Sequence, residues 1–225
     1  QKNNYIIKFA NSMGVVRETN FGKLFNVISM PKPNDLAYTS MGLSGHTDNP
    51  YRKPVPCIQL LHCIQNKAKG GLSTLVDGFA VSEFLKKKNK KYYNILTKTK
   101  VRFKFVDTNI ILENWGELIE LDDDQKTKQI RFSSRLDYVP ALNKNKLKVF
   151  YDARAYIAKL YSSKKFEIKF KLKSGDLLMM DNHRLLHGRT SYNSKEGKRH
   201  LQGCYIDYDS TEGKLRYLER KLNIR

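Results

Sequence analysis

The sequence predicts a mainly β domain with a few inserted helices. Many short segments alternate apolar and polar residues and are separated by turn residues, which is typical of strands. A parallel α/β fold would need a regular alternation of strands and helices, and that alternation is missing. An antiparallel architecture of the jelly-roll type therefore fits best. The 225 residues carry no internal repeat and no dividing linker, so one domain over 1–225 is expected.

The expected strands follow from alternation and from apolar runs bounded by turns. In chain order they are expected within the segments 13–30, 36–46, 57–65, 73–79, 101–105, 166–172, 177–180 and 201–207. Loops are expected at 31–34 and 49–56, which are rich in proline, and Gly70 and Gly71 turn the chain between two strands.

Three helices are expected between and after these strands. Apolar residues recur at helical spacing over 81–98, and Asp77 or Ser82 can cap that helix. The segment 147–161 has one apolar face. A basic helix is expected to begin near Ser210 and to end the chain.

Composition argues against membrane-spanning, secreted and disulfide-rich proteins. A hydrophobic content of 40% is ordinary for a globular protein, and no apolar stretch approaches the ~18 residues of a membrane helix. The first residues lack the apolar core of a secretory signal. Cys57, Cys63 and Cys204 form no C-x-x-C pair and are too scattered for a disulfide framework. We therefore expect a cytoplasmic protein with no membrane partner.

The charge is unusual, because 42 Lys and Arg residues against 22 Asp and Glu residues give a formal net charge of +20. Such a charge fits nucleic acid, an anionic membrane surface or small anionic substrates. The lysines are spread along the whole chain, however, and cluster only at 86–91 on an expected helix. We therefore favour solvated lysine faces, with nucleic-acid binding as a distant alternative.

The triplet His46-Thr47-Asp48 is the first chemical clue. Side chains two apart in an extended chain project to the same face, so His46 and Asp48 can converge on one ion. An imidazole and a carboxylate suit a metal with open positions, and one further histidine completes the set. An H-x-D triplet alone is common by chance, so the third ligand matters.

Four other histidines could supply that ligand: His62, His183, His187 and His200. His62 lies in an apolar strand, where a satisfied core histidine is the more common case. The spacing of His183 and His187 would suit a helical zinc site, but no catalytic glutamate lies between them. His187 is preferred because Gly188 gives room for close approach and because Arg199 lies a short hairpin away. A 2-oxo acid co-substrate bound to the metal needs a planar, bidentate cation such as arginine for its far carboxylate.

Four segments carry a family resemblance. They are GHTDNPYRKPVPCIQLLHC, GGLSTLVDGF, GDLLMMDNHRLLHGRTSYN and RHLQGCYIDYD, and they occur in this order. The chain resembles the γ-butyrobetaine/trimethyllysine dioxygenase family from about Gly14 to its end. The resemblance implies a double-stranded β-helix that uses iron(II), 2-oxoglutarate and O2. Family members usually carry a separate N-terminal domain with a Cys/His zinc site, and no such cluster occurs here, so a catalytic domain alone is expected.

The resemblance also implies the roles of particular residues. Iron would be held by His46, Asp48 and His187, and Arg199 matches the arginine that binds the tail of 2-oxoglutarate. Ser73 matches a position near the co-substrate. Arg189 is expected either near the co-substrate or in a structural role.

The substrates of this family carry a trimethylammonium group, which aromatic faces recognise because it cannot donate hydrogen bonds. The positions that match the family's aromatic cage are Phe21, Phe25, Tyr38 and Tyr205. Tyr38 and Tyr205 keep the usual tyrosine, whereas Phe21 and Phe25 stand where relatives often have tyrosine and tryptophan. The alternative for all four is a place in the ordinary core.

The opposite end of the substrate is less well defined. Ser133 and Ser134 replace a pair of asparagines that helps relatives to hold the substrate carboxylate. Arg135 could bind a carboxylate or phosphonate, and a solvent-facing position is favoured for it. γ-Butyrobetaine is therefore the first expectation, with 2-trimethylaminoethylphosphonate and trimethyllysine as alternatives. A catalytically silent binding module is disfavoured by the complete His/Asp/His/Arg set, and a homodimer is compatible with the resemblance.

Overall fold

The computed structural model of the chain describes residues 4–30, 36–139 and 141–224. Its helices are α1 (Tyr5–Met13), α2 (Gly78–Lys88), α3 (Lys90–Lys98), α4 (Lys144–Tyr161) and α5 (Tyr208–Lys221), with a short 3-10 helix at Leu36–Tyr38. Its strands are β1 (Val16–Arg17), β2 (Phe25–Ile28), β3 (Leu43–His46), β4 (Ile58–Asn66), β5 (Lys69–Gly70), β6 (Ser73–Asp77), β7 (Lys100–Asp107), β8 (Ile110–Glu117), β9 (Ile119–Leu121), β10 (Thr127–Ile130), β11 (Asp137–Tyr138), β12 (Glu167–Phe170), β13 (Leu177–Asp181), β14 (Leu185–Arg189), β15 (Tyr192–Asn193) and β16 (Arg199–Ile206). The fold is mainly β with inserted helices, as the sequence predicts.

Two antiparallel sheets position the candidate site. In the first sheet, β1, β16, β4 and β13 lie side by side in that order, and β2 also pairs with β16. In the second sheet the order is β12, β6, β14 and β3. Neighbouring strands are mostly distant in sequence, so each sheet brings together segments from both ends of the chain.

The helices cover a large buried cluster beside the second sheet. It joins α2, α3 and α4 to β7 and β14, and its fully buried members include Val81, Leu85, Leu96, Phe103, Phe150 and Leu186. A smaller cluster of Leu61, Cys63, Leu172, Met180 and Leu201 includes side chains from β4, β13 and β16.

Truncating the centre of the large cluster is expected to cost stability. Phe150 is fully buried on α4, so Phe150→Ala should lower the free energy of unfolding by roughly 3–5 kcal/mol through lost burial and a residual cavity. Chemical denaturation measures the loss. The neighbouring Tyr151 is 53% exposed, and Tyr151→Ala should cost about 0.5 kcal/mol or less. Equal losses in the two variants would contradict this description of the cluster.

Several expected elements need correction. The segment 36–46 is extended only from Leu43, because a 3-10 helix occupies Leu36–Tyr38. The helix expected over 81–98 is two helices that meet at Asn89, whose side chain accepts a hydrogen bond from the Tyr92 amide and so begins a second helix. The expected loop at 31–34 lies outside the described residues.

The N-terminus of α2 is capped by Asp77 and not by Ser82. The Asp77 side chain accepts hydrogen bonds from the Phe79 and Ala80 amides at 3.0 and 3.2 Å. Ser82 lies buried inside the helix, 2.9 Å from the Thr127 hydroxyl. The sequence patterns did not predict the helix α1 or the strands β5, β8, β9, β10, β11, β14 and β15.

Among the described residues, no helix combines the length and the apolar character needed to cross a membrane.

Candidate metal centre and adjoining cavity

His46 and His187 form a cross-strand pair in the second sheet. His46 ends β3, His187 lies in β14, and the two residues are direct partners in the antiparallel register. Their ring centroids are 4.5 Å apart. Opposite residues of a strand pair share a face, so both imidazoles project to the same side. One potential ligand atom from each of His46, Asp48 and His187 lies within 4.8 Å of the others, which is close enough for one metal ion.

The loop that carries Asp48 is fixed by hydrogen bonds on both sides. The Thr47 amide donates to the Phe132 carbonyl at 2.9 Å, and the Thr47 hydroxyl accepts from the Phe132 amide at 3.0 Å. Buried Asn182 accepts from the Asp48 amide at 2.7 Å and donates to the Asp48 carbonyl at 3.0 Å. Thr47 thus points away from the two ligands that flank it, as the alternation predicts.

Close approach of the strands around His187 depends on Gly188. A Cβ atom at this position would lie 2.5 Å from the Leu43 carbonyl oxygen and 2.9 Å from the Thr74 hydroxyl. A larger residue would therefore push β14 away from β3 and separate the two histidines. The space at Gly188, which was expected to allow close approach, serves the packing of these strands.

The protonation states suit a divalent metal. Burial lowers the pKa of His187 to about 4, with a further contribution from neighbouring His46 and opposed by Asp48, so its imidazole is neutral at pH 7. Burial opposes ionisation of Asp48, but the charges of His187 and His46 when protonated and the hydrogen bond from the Tyr205 hydroxyl outweigh it and hold the pKa of the carboxyl well below its usual value. A neutral imidazole and an ionised carboxylate are the forms that bind metal.

The tautomer of His46 also favours a metal at its outer nitrogen. Nδ1 of His46 lies 2.9 Å from the Ser44 carbonyl oxygen, which can only accept, so Nδ1 carries the proton. The lone pair of Nε2 then faces Asp48, whose Oδ1 is 3.4 Å away. Nδ1 of His187 is buried with no hydrogen-bond partner among the described residues.

The remaining histidines do not join this cluster. Nε2 of His183 contacts the Val55 carbonyl at 3.1 Å, and Nε2 of His200 contacts the Asn26 side chain at 2.8 Å. His62 is half-buried, and its Nδ1 has no hydrogen-bond partner in the described part of the chain, so it is not the satisfied core histidine that was expected.

One cavity adjoins the metal cluster, and its lining includes every residue expected to hold iron, the co-substrate or the trimethylammonium group, but neither Ser133 nor Ser134. Besides the metal cluster, these residues are Ser73, Arg189, Arg199, Phe21, Phe25, Tyr38 and Tyr205. Ser73 lies on β6 directly opposite Arg189 on β14, and both are buried.

Arg199 brings a buried cation to this cavity. It is 5% exposed, its Nε has no hydrogen-bond partner, and it forms no ion pair among the described residues. Its guanidinium lies 5.7 Å from the centre of the Tyr192 ring. Burial lowers the pKa of Arg199, but a guanidinium stays protonated at neutral pH. A buried charge is costly unless it is paired, so this position fits an anionic ligand such as a carboxylate.

Arg189 has the structural role that was one of its two expected roles. Its guanidinium donates to the backbone carbonyls of Leu36, Ala37, Thr39 and Met41 at 2.6 to 3.2 Å. These contacts hold the short segment that presents Tyr38 to the cavity.

The aromatic side chains form two groups in the cavity wall. Phe25 and Tyr205 stack with ring centroids 5.2 Å apart. Phe105 packs edge-on against Phe21 at 5.9 Å and stacks on Tyr51 at 4.9 Å. Tyr51 and Phe105 also line the cavity and were missed. Phe105 lies in a strand that alternation located, but no sequence signal distinguishes its ring from a core ring.

The segment 133–135 is split between burial and exposure. Ser133 is buried, and its hydroxyl has no hydrogen-bond partner among the described residues, whereas Ser134 is exposed. Arg135 is exposed, as favoured, but it also lines the cavity.

An antiparallel β fold with two histidines and one carboxylate on a shared face is the arrangement of the mononuclear non-haem iron oxygenases. Consistent with that class, residues 6–205 match the family model described as taurine catabolism dioxygenase TauD, TfdA family. The chain belongs to this family.

Curated relatives show which named members of the family the chain resembles. The chain is 36% identical over 222 residues to γ-butyrobetaine dioxygenase of Homo sapiens, covering 96% of this chain and 57% of that protein. It is 34% identical over 215 residues to γ-butyrobetaine dioxygenase of Pseudomonas sp. strain AK-1, covering 96% and 56%. It is 28% identical to the mitochondrial trimethyllysine dioxygenase of Bos taurus, covering 94% and 51%. The expected resemblance is confirmed, and the chain spans little more than half the length of these curated relatives.

Solved structures share the fold. Asparagine oxygenase superposes with a TM-score of 0.71 at 15% identity, covering 90% of this chain and 62% of that one. PvcB, described as an Fe, α-ketoglutarate dependent oxygenase from an isonitrile synthetic pathway, superposes with a TM-score of 0.66 at 16% identity, covering 91% and 71%.

Proposed function

We propose that this chain is the catalytic part of an iron(II)- and 2-oxoglutarate-dependent dioxygenase that hydroxylates a small trimethylammonium substrate, γ-butyrobetaine in the first place. The observation that carries the proposal is that three features meet in one cavity: the His46–Asp48–His187 cluster, the buried guanidinium of Arg199, which forms no ion pair with any described residue, and a set of aromatic rings. The cluster would hold iron(II), the guanidinium would bind 2-oxoglutarate, and the rings would bind the trimethylammonium group of the substrate.

The protein's part is to bind and orient these components. His46, Asp48 and His187 would hold iron(II), leaving other positions for ligands. Arg199 would pair with the far carboxylate of 2-oxoglutarate, and the buried Ser73 hydroxyl would lie near it. Bound iron(II), with 2-oxoglutarate and O2, supplies the oxidation of a C–H bond to C–OH and releases succinate and CO2.

The aromatic wall would bind the cationic end of the substrate. Phe21, Phe25, Tyr38 and Tyr205 offer ring faces to the cavity, each worth about 0.5–2 kcal/mol to a well-placed quaternary ammonium. In the described lining the one carboxylate is Asp48, a proposed metal ligand, so the cation would be held by rings and not by an ion pair.

The anionic end of the substrate distinguishes the candidates. Arg135 lines the cavity and offers a cation to a carboxylate or a phosphonate. This favours γ-butyrobetaine and 2-trimethylaminoethylphosphonate, while the trimethyllysine dioxygenases among the relatives keep trimethyllysine as an alternative.

A succinate-release screen tests the function. The purified chain is incubated with Fe(II), ascorbate and 2-oxoglutarate, and with γ-butyrobetaine, 2-trimethylaminoethylphosphonate or trimethyllysine in turn. We expect substrate-dependent succinate and a hydroxylated product, greatest with γ-butyrobetaine. A folded chain that binds iron but gives no succinate with any of the three would overturn the proposal and favour a silent binding module.

The charge of +20 keeps a nucleic-acid-directed dioxygenase as a distant alternative. It would require an affinity for nucleic acid that falls steeply with salt, together with modification of that polymer. Weak binding with no modified product is the expected result.

The remaining assignments complete the proposal. We assign the fold to the double-stranded β-helix, supported by the two antiparallel sheets that carry the site. Residues 1–225 are assigned to one catalytic domain. A cytoplasmic location is supported by the three free, buried thiols, and a homodimer is testable by light scattering.

A further inference from the structure

Gln59 and Tyr205 form a second cross-strand pair that faces the metal cluster. Gln59 lies on β4 and Tyr205 on β16, and the two residues are direct partners in the antiparallel register of the first sheet. Both side chains are buried, at 1% and 3% exposure. Because opposite residues share a face, their polar ends reach the same point, which is the carboxylate of Asp48.

Both side chains donate to the same oxygen of Asp48. The Gln59 amide nitrogen and the Tyr205 hydroxyl each lie 2.7 Å from Oδ2. An ionised carboxylate only accepts, so the tyrosine hydroxyl must be the donor. Both oxygens face the cluster, since Oδ1 lies 3.4 Å from Nε2 of His46 and Oδ2 lies 3.7 Å from Nε2 of His187, but only Oδ2 accepts the two hydrogen bonds, which occupy its lone pairs.

Asp48 thus connects the two sheets. Its metal-binding neighbours His46 and His187 belong to the second sheet, whereas its hydrogen-bond donors belong to the first. The main chain of Asp48 is held separately by Asn182. The two donors therefore act on the rotation of the carboxylate group, which the main-chain contacts leave free.

Tyr205 has a second contact that matters for the cavity. Its ring stacks on Phe25, and Phe25 in turn packs over Gly203, where a Cβ atom would collide with the phenylalanine ring. The hydroxyl of Tyr205 is engaged by Asp48, so the residue presents its ring face to the cavity and its hydroxyl to the metal cluster.

We propose that Gln59 and Tyr205 are positioning residues that occupy Oδ2 of Asp48 and so restrict this carboxylate to metal binding through Oδ1. The inference rests on the proposed function, which supplies the metal. It separates the two parts of Tyr205: the hydroxyl sets metal affinity, and the ring serves the substrate cation.

Tyr205→Phe tests this separation, because it removes the hydroxyl and keeps the ring. The affinity of the whole chain for Fe(II) is measured by anaerobic titration without 2-oxoglutarate or substrate. We expect it to fall on the order of 10-fold, as is usual when a group that orients a metal ligand is lost. The KM for γ-butyrobetaine should stay within about twofold of the wild-type value, since the ring face for the cation remains.

Two further variants make the test specific. Tyr51→Phe removes a phenol hydroxyl from the same cavity, but this hydroxyl donates to Asn49 at 2.6 Å, and we expect unchanged Fe(II) affinity. Gln59→Leu removes the other donor at similar volume and should lower Fe(II) affinity as Tyr205→Phe does. It tests the inference independently if Tyr205→Phe unfolds.

The outcomes distinguish this inference from the proposed function. Fe(II) affinities of Tyr205→Phe and Gln59→Leu equal to the wild-type value would overturn the positioning role and leave the proposed function standing. A fall of the same size in Tyr51→Phe would also overturn it. A wild-type chain that binds no Fe(II) would overturn both.

Discussion

Replacing His187 with alanine is expected to abolish Fe(II) binding and substrate-dependent succinate release while the chain stays folded. The imidazole is one of three potential ligands within 4.8 Å of one another, and two ligands cannot define the face on which a metal is held. Loss of a residue that merely orients a ligand costs 10–100-fold in metal affinity, so loss of a ligand should cost more than about 100-fold.

The fold should survive the change. Nδ1 of His187 has no hydrogen-bond partner among the described residues, so truncation breaks no hydrogen bond there. The side chain of His187 is only partly buried and faces the cavity, whereas the neighbouring Leu186 is fully buried in the large cluster. Thermal unfolding of the metal-free chain should therefore change little, which separates loss of the metal site from loss of the structure.

His200→Ala is the matched control. His200 is also on a central strand, but its ring bonds the Asn26 side chain and takes no part in the metal cluster. We expect this variant to keep Fe(II) binding and turnover. Full activity in His187→Ala, measured as succinate release, would refute the metal assignment.

Local patterns in the sequence, together with the family resemblance, predicted the three members of the metal cluster. H-x-D placed His46 and Asp48 on one face because an extended chain repeats every two residues. Gly188 and the nearby Arg199 then selected His187, and the structure pairs it directly with His46. A side-chain acceptor before an apolar run is a local signal, and it gave Asp77 and Ser82 as the two candidate caps, of which the structure uses Asp77.

Contacts that depend on which strands pair, and in which register, could not be predicted from local sequence patterns. Tyr205 and Asp48 are 157 positions apart, and the pairing of β16 with β4 places Tyr205 beside Gln59, the other donor to Asp48. Periodicity predicts each strand but not which strands are neighbours. The same limit explains why Tyr51 and Phe105 were missed as parts of the cavity wall.

The short helix at Leu36–Tyr38 illustrates a further limit. Alternation favoured an extended chain, but the guanidinium of Arg189 binds the carbonyls of this segment from a strand about 150 positions away. A tertiary contact thus overrides the local preference. The same contact positions Tyr38 at the cavity wall. One tertiary contact therefore explains both the unexpected helix and the place of this residue in the cavity.

Arg199→Ala is expected to raise the 2-oxoglutarate concentration needed for half-maximal rate on the order of 100-fold, because truncating one partner of a buried charge pair costs roughly 2–5 kcal/mol. The requirement for the trimethylammonium substrate should change far less, since ring faces bind its cation. The guanidinium is buried and forms no ion pair among the described residues, so the co-substrate carboxylate is its expected partner. Steady-state succinate release at varied 2-oxoglutarate, with saturating substrate, measures the change.

Two variants complete the test of Arg199. Arg199→Lys keeps the charge but loses the planar fork that grips both carboxylate oxygens, so its 2-oxoglutarate requirement should fall between those of the wild type and Arg199→Ala. Arg184→Ala removes an arginine that is half exposed and pairs with Asp77 outside the cavity lining, and it should leave the 2-oxoglutarate requirement unchanged. A rise confined to the trimethylammonium substrate in Arg199→Ala would place the guanidinium at the substrate's anionic end instead, and the co-substrate would need another partner.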